Sequence, residues 1–341
     1  MTEKRKYWGI VSPMPAPMIQ AQAQQLEAMG LEGVFAPQVY GPPFIPLAVA
    51  ASATTRLKLA SGIALAFTRS PFETAVAAMD MDMVSGGRFT LGLGSSVRSW
   101  SEGFFGMPYG KPVEHLREVI EIVRLVIQKS HTGELTRFEG KYHNLDFSEF
   151  QSLRAPLRTN IPIWVAGLRQ PILRMGAEVA DGIIGHPIWS IEWATTKVAE
   201  DIRAGLARGG RQRSDLEFNV WLFVAPNIDR AQAIEDARAT VAFYAGVEQY
   251  EPYFTAHGFG REAKMLQEGV KSTGGYLSVK HLVSDEMAQT FVVCGTPDEV
   301  RARVEKVWDV ADSVSLSPPA YALAPEQLMG YAASIAGLFY S

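Results

Sequence analysis

The run SGGRFTLGLGSS, residues 85–96, places Gly92 and Gly94 at the end of an apolar stretch. Paired glycines there let a phosphate or a flat ring approach bare main chain. A dinucleotide-binding turn would need a third glycine in Gly-x-Gly-x-x-Gly spacing, opening directly into a helix. Val97 stands in that place, and VRSWSEGFFGMPYG (97–110) adds three glycines and a proline before helical periodicity returns near Lys111. The Rossmann reading is therefore weak. His115, His131, His143, His186, His257 and His281 form neither His-Glu-x-x-His nor any paired metal-ligand spacing, so no metal site is expected. Only His186 lies just beyond a predicted strand end, where it reads either as a loop histidine or as an acid or base. No Gly-x-Ser-x-Gly elbow, phosphate-binding loop or spaced carboxylate pair argues for a hydrolase or an NTPase. The chemistry must come largely from a cofactor. Arg69, Arg98 and Arg169 each follow a predicted strand end, and together they suit either an anionic ligand tail or solvated loop positions.

Positioning these residues falls to an alternation of short β-like runs and longer helical patterns, the signature of parallel strands joined by crossover helices. Strands are expected at 7–12, 33–36, 57–66, 89–94, 163–165, 182–185, 217–224 and 313–316. Helices are expected at 19–29, 46–54, 72–84, 113–128, 171–180, 191–207, 230–244 and 297–307. Leu116, Val119, Ile120, Val123, Val126 and Ile127 recur at three- and four-residue spacing, marking one helix face for burial. Thr296-Pro297-Asp298-Glu299 reads as a capped helix start, which is architecture rather than chemistry. Eight such units imply a (β/α)8 TIM barrel, an α/β fold whose sites are built at the carboxyl ends of its strands. Gly62, Gly92, Gly94, Gly167 and Gly185 all fall at those ends, where each serves ligand approach or close packing. Residues 132–147 read as a hairpin insertion and 247–285 as a partly helical one, within a single domain spanning 1–341.

The totals narrow the class. Of 341 residues, 47% are hydrophobic and 20% charged, with a formal net charge of −4. That balance fits a globular protein and gives no electrostatic reason to expect nucleic acid or an anionic membrane as partner. The lone Cys294 excludes an intramolecular disulfide and reads as a small buried hydrophobe. Pro13 and Pro15 interrupt the N-terminal stretch before a signal-peptide core forms, and no run of apolar residues is long enough to span a bilayer. A cytoplasmic location is the expectation.

Several stretches together resemble the bacterial luciferase-like superfamily, and within it the oxidoreductases that use coenzyme F420. They are AQQLEAMGLEGVFAPQVY, ATTRLKLASGIALAFTRSPFETA, SGGRFTLGLGSS, FFGMPYGKPVEHLREVIEIVR, IPIWVAGL and EVADGIIGHP, ending in FVVCGTPDEV. The resemblance implies a TIM barrel with insertions that binds a flavin or the deazaflavin F420 at its carboxyl-terminal mouth. It implies a bulge with a non-prolyl cis peptide bond behind the ring, a position matched by Gly62-Ile63. It further implies that Gly94–Ser96 and Ala166–Leu168 supply amides and hydroxyls to the cofactor's tail. The cofactor set expected is Gly62, Ile63, Ala64, Gly94, Ser95, Ser96, Arg98, Val165, Ala166, Gly167, Leu168 and His186. Hydride transfer at the deazaflavin C5 is the implied reaction.

One departure matters. The sugar-phosphate dehydrogenases of that branch carry an Asp-His pair at the end of strand two and a glutamate after strand four. This sequence has Gln38-Val39 and, near the second position, Val97. Glutamine hydrogen-bonds but is no general base, so oxidation of a sugar hydroxyl is not expected. Reduction of an electron-poor double bond or carbonyl fits better, with Gln38 and His186 contacting ring or substrate in the catalytic roles. Tyr40, Phe44, Phe67, Trp100 and Trp189 suggest a small, apolar or planar organic substrate, though each reads as readily as a core or lid residue. The alternatives are an FMN-dependent monooxygenase of the same superfamily and a non-catalytic flavin-binding protein. A homodimer is expected.

Overall fold

The computed structural model describes residues 5–340. Its contacts group into two compact units, one of Trp8–Ile184 with Glu200–Phe218, the other of residues 5–7, Gly185–Ala199 and residues 219–340. The chain passes between them at residues 7–8, 184–185, 199–200 and 218–219.

In the larger unit the strands are β1 (Tyr7–Ile10), β2 (Gly33–Ala36), β3 (Lys58–Ser61), β4 (Ala64–Leu65), β5 (Phe89–Gly94), β6 (Arg137–Glu139), β7 (Asn144–Asp146), β8 (Ile163–Ala166) and β9 (Gly182–Ile184). They pair in parallel in the order β1-β2-β3-β5-β8-β9, with β4 also on β5, while β6 and β7 form a separate antiparallel hairpin. Beside β9, the Glu217 N–H donates to Asp181 O at 3.0 Å. The smaller unit holds β10 (Glu217–Pro226), β11 (Val293–Gly295) and β12 (Ser313–Ser317), again parallel, in the order β11-β10-β12. There the Val314 N–H reaches Lys6 O at 2.9 Å.

All six residues of β5 are buried, the continuous burial expected of a parallel strand covered on both faces. Against the sheet lies the helix Pro112–Lys129, which buries Leu116, Val119, Ile120, Val123, Val126 and Ile127, the face its spacing predicts. Helix ends follow local chemistry. Ser70 caps Pro71–Ser85 by accepting from the Phe72 N–H, and Gly86 closes it at φ 65°. Thr296 and Glu299 form the reciprocal capping box foreseen for Pro297–Glu305. Inside the larger unit Trp8 stacks on Phe35, ring centroids 4.6 Å apart. Gly33 is required there, since a Cβ would sit 2.5 Å from the Trp8 ring. Cys294 is buried, and desolvation pushes its thiol up to about 11, which removes it as a nucleophile near neutrality.

Three elements differ from the sequence expectation. The strand expected over 57–66 is two, β3 and β4, parted at Gly62–Ile63. The helix expected over 191–207 contains a π-helical turn, Ala194–Val198. Thr195 and Thr196 hydroxyls donate to the carbonyls of Ile191 and Glu192 at 2.9 and 2.7 Å, competing with the regular ladder. Short β11 carries too few residues for an alternation to register. The 132–147 hairpin forms as expected, and the segment after Val247 is a chain of short helices around the longer Gly260–Thr273.

Glu118 fastens that hairpin. Its carboxylate accepts from the N–H groups of Lys141, Tyr142 and His143 at 2.7, 2.9 and 2.6 Å and pairs with His143 Nδ1 at 3.0 Å. Desolvation opposes ionisation, but the backbone donors and His143 together outweigh it and hold the carboxyl below its usual value. A depressed folded value contributes stability that is complete above the unfolded pKa and is lost as pH falls through the folded one. Glu118→Gln should cost about 1–3 kcal/mol at neutral pH. In denaturant titrations it should also flatten the acid limb of the stability profile; an unaltered acid limb would show that the anchor does not titrate with folding.

Candidate functional site

In the larger unit, the carboxyl ends of β2, β3, β5 and β8 converge through contacts that only glycine permits. A Cβ on Gly92 would lie 1.9 Å from Ser61 O, and one on Gly94 would lie 2.1 Å from Ile63 Cδ1. Ser61 Oγ donates to Gly92 O at 2.9 Å and accepts from the Gly92 N–H at 2.8 Å, continuing the β3–β5 ladder through a side chain where β3 ends. The chain then turns through Gly62–Ile63, a cis peptide bond where the family resemblance placed one. Gly62 lies over the Phe35 ring, 2.7 Å from the position its Cβ would take. Ala64 and Leu65 resume pairing opposite Leu93 and Gly94.

Gln38 ties this bulge down from β2. Its N–H donates to Ile63 O at 3.1 Å, and its buried Oε1 accepts from the Leu65 N–H at 2.9 Å and from Arg69 Nη2 at 3.0 Å. Arg69 packs its guanidinium over Phe44 and reaches Glu73 at 3.4 Å, while its buried Nη1 has no acceptor among the described residues. Burial lowers the Arg69 pKa and Glu73 opposes this, yet guanidinium remains charged.

Past β5 the main chain is open. The N–H groups of Ser95, Ser96, Val97 and Arg98 find no acceptor among the described residues. Ser96 is held at φ 56°, a conformation uncommon outside glycine, and Tyr109 Oη donates to its carbonyl at 2.9 Å. A π-helical turn follows at Ser99–Phe104, carrying Trp100, whose ring stacks on Tyr40 with centroids 5.7 Å apart. Arg98 pairs with Glu102, donates to Gly110 O at 3.2 Å and lies over Tyr109. Beside this, the register Leu93↔Val165 sets Gly94 next to Ala166, and Gly167 is crowded by Ile172. The helix Gln170–Val179 begins there with no side-chain cap and no acidic residue in its first turn. Open N–H groups at such ends favour anions. Arg169 is exposed and makes no ion pair among the described residues.

Of the residues singled out from sequence, the larger unit brings together Gln38, Gly62, Ile63, Ala64, Gly94, Ser95, Ser96, Arg98 and Val165–Leu168. His186 belongs to the smaller unit. Its Nδ1 accepts from the Ile188 N–H at 3.3 Å, so the ring proton sits on Nε2, which donates to Tyr250 Oη at 3.1 Å. Desolvation lowers its pKa to about 3, leaving it neutral and no proton donor in imidazolium form near pH 7. The sequence did not reveal Arg69 as the partner of Gln38, nor Tyr109 as the tether of Ser96; both contacts join residues well apart along the chain. Among the described residues no group of His, Cys, Asp and Glu is arranged to hold a metal ion, and no helix is long and apolar enough to cross a membrane.

The sequence profile of the luciferase-like monooxygenases matches residues 6–311, and the chain belongs to that family. It is 32% identical over 295 residues to an uncharacterised protein of Mycobacterium tuberculosis, covering 84% of this chain and 86% of that one. It is 30% identical over 326 residues to another protein of that organism, named provisionally as a coenzyme F420-dependent oxidoreductase, covering 89% and 90%. Among solved structures, the F420-dependent tetrahydromethanopterin reductase of Methanopyrus kandleri superposes with a TM-score of 0.80 at 20% identity, covering 98% of each chain. The oxygenating component of a Pseudomonas putida diketocamphane monooxygenase, in complex with FMN, gives 0.67 at 16%, covering 99% and 98%. These likenesses give the fold, the (β/α)8 TIM barrel that the alternation in the sequence implies. Named relatives and fold neighbours include oxidoreductases and monooxygenases.

Gly92 and Gly94 face different obstacles, and their alanine variants should behave differently. Gly92→Ala drives a methyl into a main-chain carbonyl and should cost about 1–3 kcal/mol or more. Gly94→Ala meets only the tip of Ile63, so it should stay near wild-type stability, with Ile63→Val removing what penalty remains. Equal losses in urea melts would mean that Ser61 and Ile63 yield equally.

Proposed function

We propose that this chain is an F420-dependent oxidoreductase acting on a small organic substrate, apolar or planar in character. The observation that carries the reading is the paving of the site: open N–H groups at 95–98, beside strand ends thinned by Gly92 and Gly94 and backed by the braced bulge at Gly62–Ile63. A group with an anionic tail fits those donors, since main-chain N–H groups without an internal acceptor favour anions. The F420-dependent relative and the reductase fold neighbour support the same cofactor. When bound, the deazaflavin supplies a hydride or accepts one at C5.

The chain's own residues bind and align. Gln38, Ile63 and Ala64 support the ring position, and Ser95, Ser96, Arg98 and Ala166–Leu168 meet the tail. Tyr40 and Trp100 offer stacked aromatic faces to a planar substrate. Gln38 has no basic atom, and burial lowers the His186 pKa to about 3, which makes its neutral imidazole a weak base and no proton donor near pH 7. Alignment at near-contact distance and exclusion of water then carry the catalytic burden. The second reading is an FMN-dependent monooxygenase, which the same open N–H groups would also serve through a phosphate. A homodimer is part of the proposal, supported by the exposed Ile45, Met83 and Val84 on neighbouring helices.

Fluorescence titration of the purified protein with F420 and with FMN tests the cofactor. F420 should bind at least about tenfold more tightly, a difference near 1.4 kcal/mol; tighter FMN binding selects the monooxygenase reading instead. Sedimentation velocity should give twice the chain mass, with Ile45→Glu shifting the protein to monomer, and a monomeric wild-type chain would remove the dimer from the proposal.

A further inference from the structure

The geometry points to Arg69 as a positioning residue that fixes Gln38 with its amide nitrogen outward, a hydrogen-bond donor for a ring carbonyl of the bound cofactor. This rests on the cofactor reading above and deepens it. A glutamine side chain can present either its oxygen or its nitrogen, and the choice is usually a matter of fitting the surroundings. Here the surroundings decide. Both neighbours of the inner atom are obligate donors, the Leu65 N–H at 2.9 Å and Arg69 Nη2 at 3.0 Å, so that atom is the oxygen. Nitrogen in its place would set donor against donor beside a cation. The opposite atom, Nε2, therefore carries two N–H groups that meet no acceptor among the described residues.

Location gives this donor its target. Gln38 is bonded to both sides of the bulge, through its N–H to Ile63 O and through Oε1 to Leu65, so its free amide is fixed at the edge of the surface proposed to back the ring. The pyrimidine edge of a deazaflavin or flavin carries two carbonyl oxygens, acceptors that match an N–H donor. Arg69 sets the polarity through its Nη2 bond to Oε1. Its side chain is mostly buried and is itself held by Phe44 and Glu73.

Four variants of the full-length protein test this, read by thermal midpoint and by quenching of F420 fluorescence on binding. Gln38→Glu keeps both inward acceptor bonds, the one to Arg69 now charge-assisted, while replacing the outward donor with an acceptor. It should leave the midpoint unchanged or raised and weaken F420 binding by about tenfold or more. Gln38→Met loses the inward bonds, so its midpoint should fall. Arg69→Met should weaken F420 binding severalfold, and Arg69→Lys, which restores one donor, should recover part of it. Wild-type affinity in Gln38→Glu, or a midpoint as low as that of Gln38→Met, overturns the proposal. If the wild-type protein binds FMN in place of F420, the cofactor reading fails while the same comparison made with FMN judges Gln38 on its own. A wild-type protein that binds neither ring overturns both.

Discussion

The site depends on one close approach, that of β3 to β5 where the Ser61 carbonyl occupies the space a Cβ on residue 92 would need. Two strands can come this near only if one has no side chain, and the Ser61 hydroxyl then bridges both the N–H and the carbonyl of Gly92. That bridge replaces main-chain pairing at the point where β3 stops, freeing the next two residues to leave the sheet. Everything nearby inherits its position from this. Ile63 can reach over Gly94, Gly62 can settle on Phe35, and Gln38 can hold the far side of the bulge.

Chemistry at such a surface is set by main chain and fixed donors rather than by titrating side chains. Burial makes His186 neutral, Arg98 is engaged with Glu102 and the Gly110 carbonyl, and Gln38 offers no basic atom at any pH. The open N–H groups of 95–98 remain donors under all conditions. A protein built this way contributes orientation and electrostatic complementarity, and it leaves electron transfer to a bound redox group. Ser96 holds a left-handed conformation at the same place, and Tyr109 Oη donates to its carbonyl at 2.9 Å.

Much of the architecture was legible because local signals agreed. The apolar face of Pro112–Lys129, the Thr296–Glu299 capping box and the buried run of β5 each repeat a pattern that a few adjacent residues suffice to set. The glycines at strand ends could be located from sequence, but whether each served packing or ligand approach could not. Contact distances decide that question: Gly92 and Gly167 serve packing, whereas Gly94 stands under the tip of the Ile63 side chain beside open main chain. Periodicity alone hid the interruption at Gly62–Ile63, which only the family resemblance placed, because LKLASGIALAF reads as one apolar run and the break depends on Gly92 and Gln38, partners supplied by other parts of the sheet. Three arginines looked alike along the chain, yet only tertiary packing gives them separate duties: Arg69 on Gln38, Arg98 on its own loop, Arg169 in solvent.

That separation explains how a site of this family could tolerate glutamine where the related dehydrogenases carry an acid. An Asp-His pair at the end of β2 would set a negative charge beside Arg69 and supply a base for removing a hydroxyl proton. Glutamine keeps the inward acceptor that Leu65 and Arg69 require while withholding the base. The exchange therefore costs the bulge nothing, since the same two donors remain satisfied. It changes only what faces outward, from a group that takes up protons to one that donates a hydrogen bond without losing its proton. Glutamine takes no proton from an alcohol, and that is the physical reason for proposing reduction of an acceptor over oxidation of a hydroxyl.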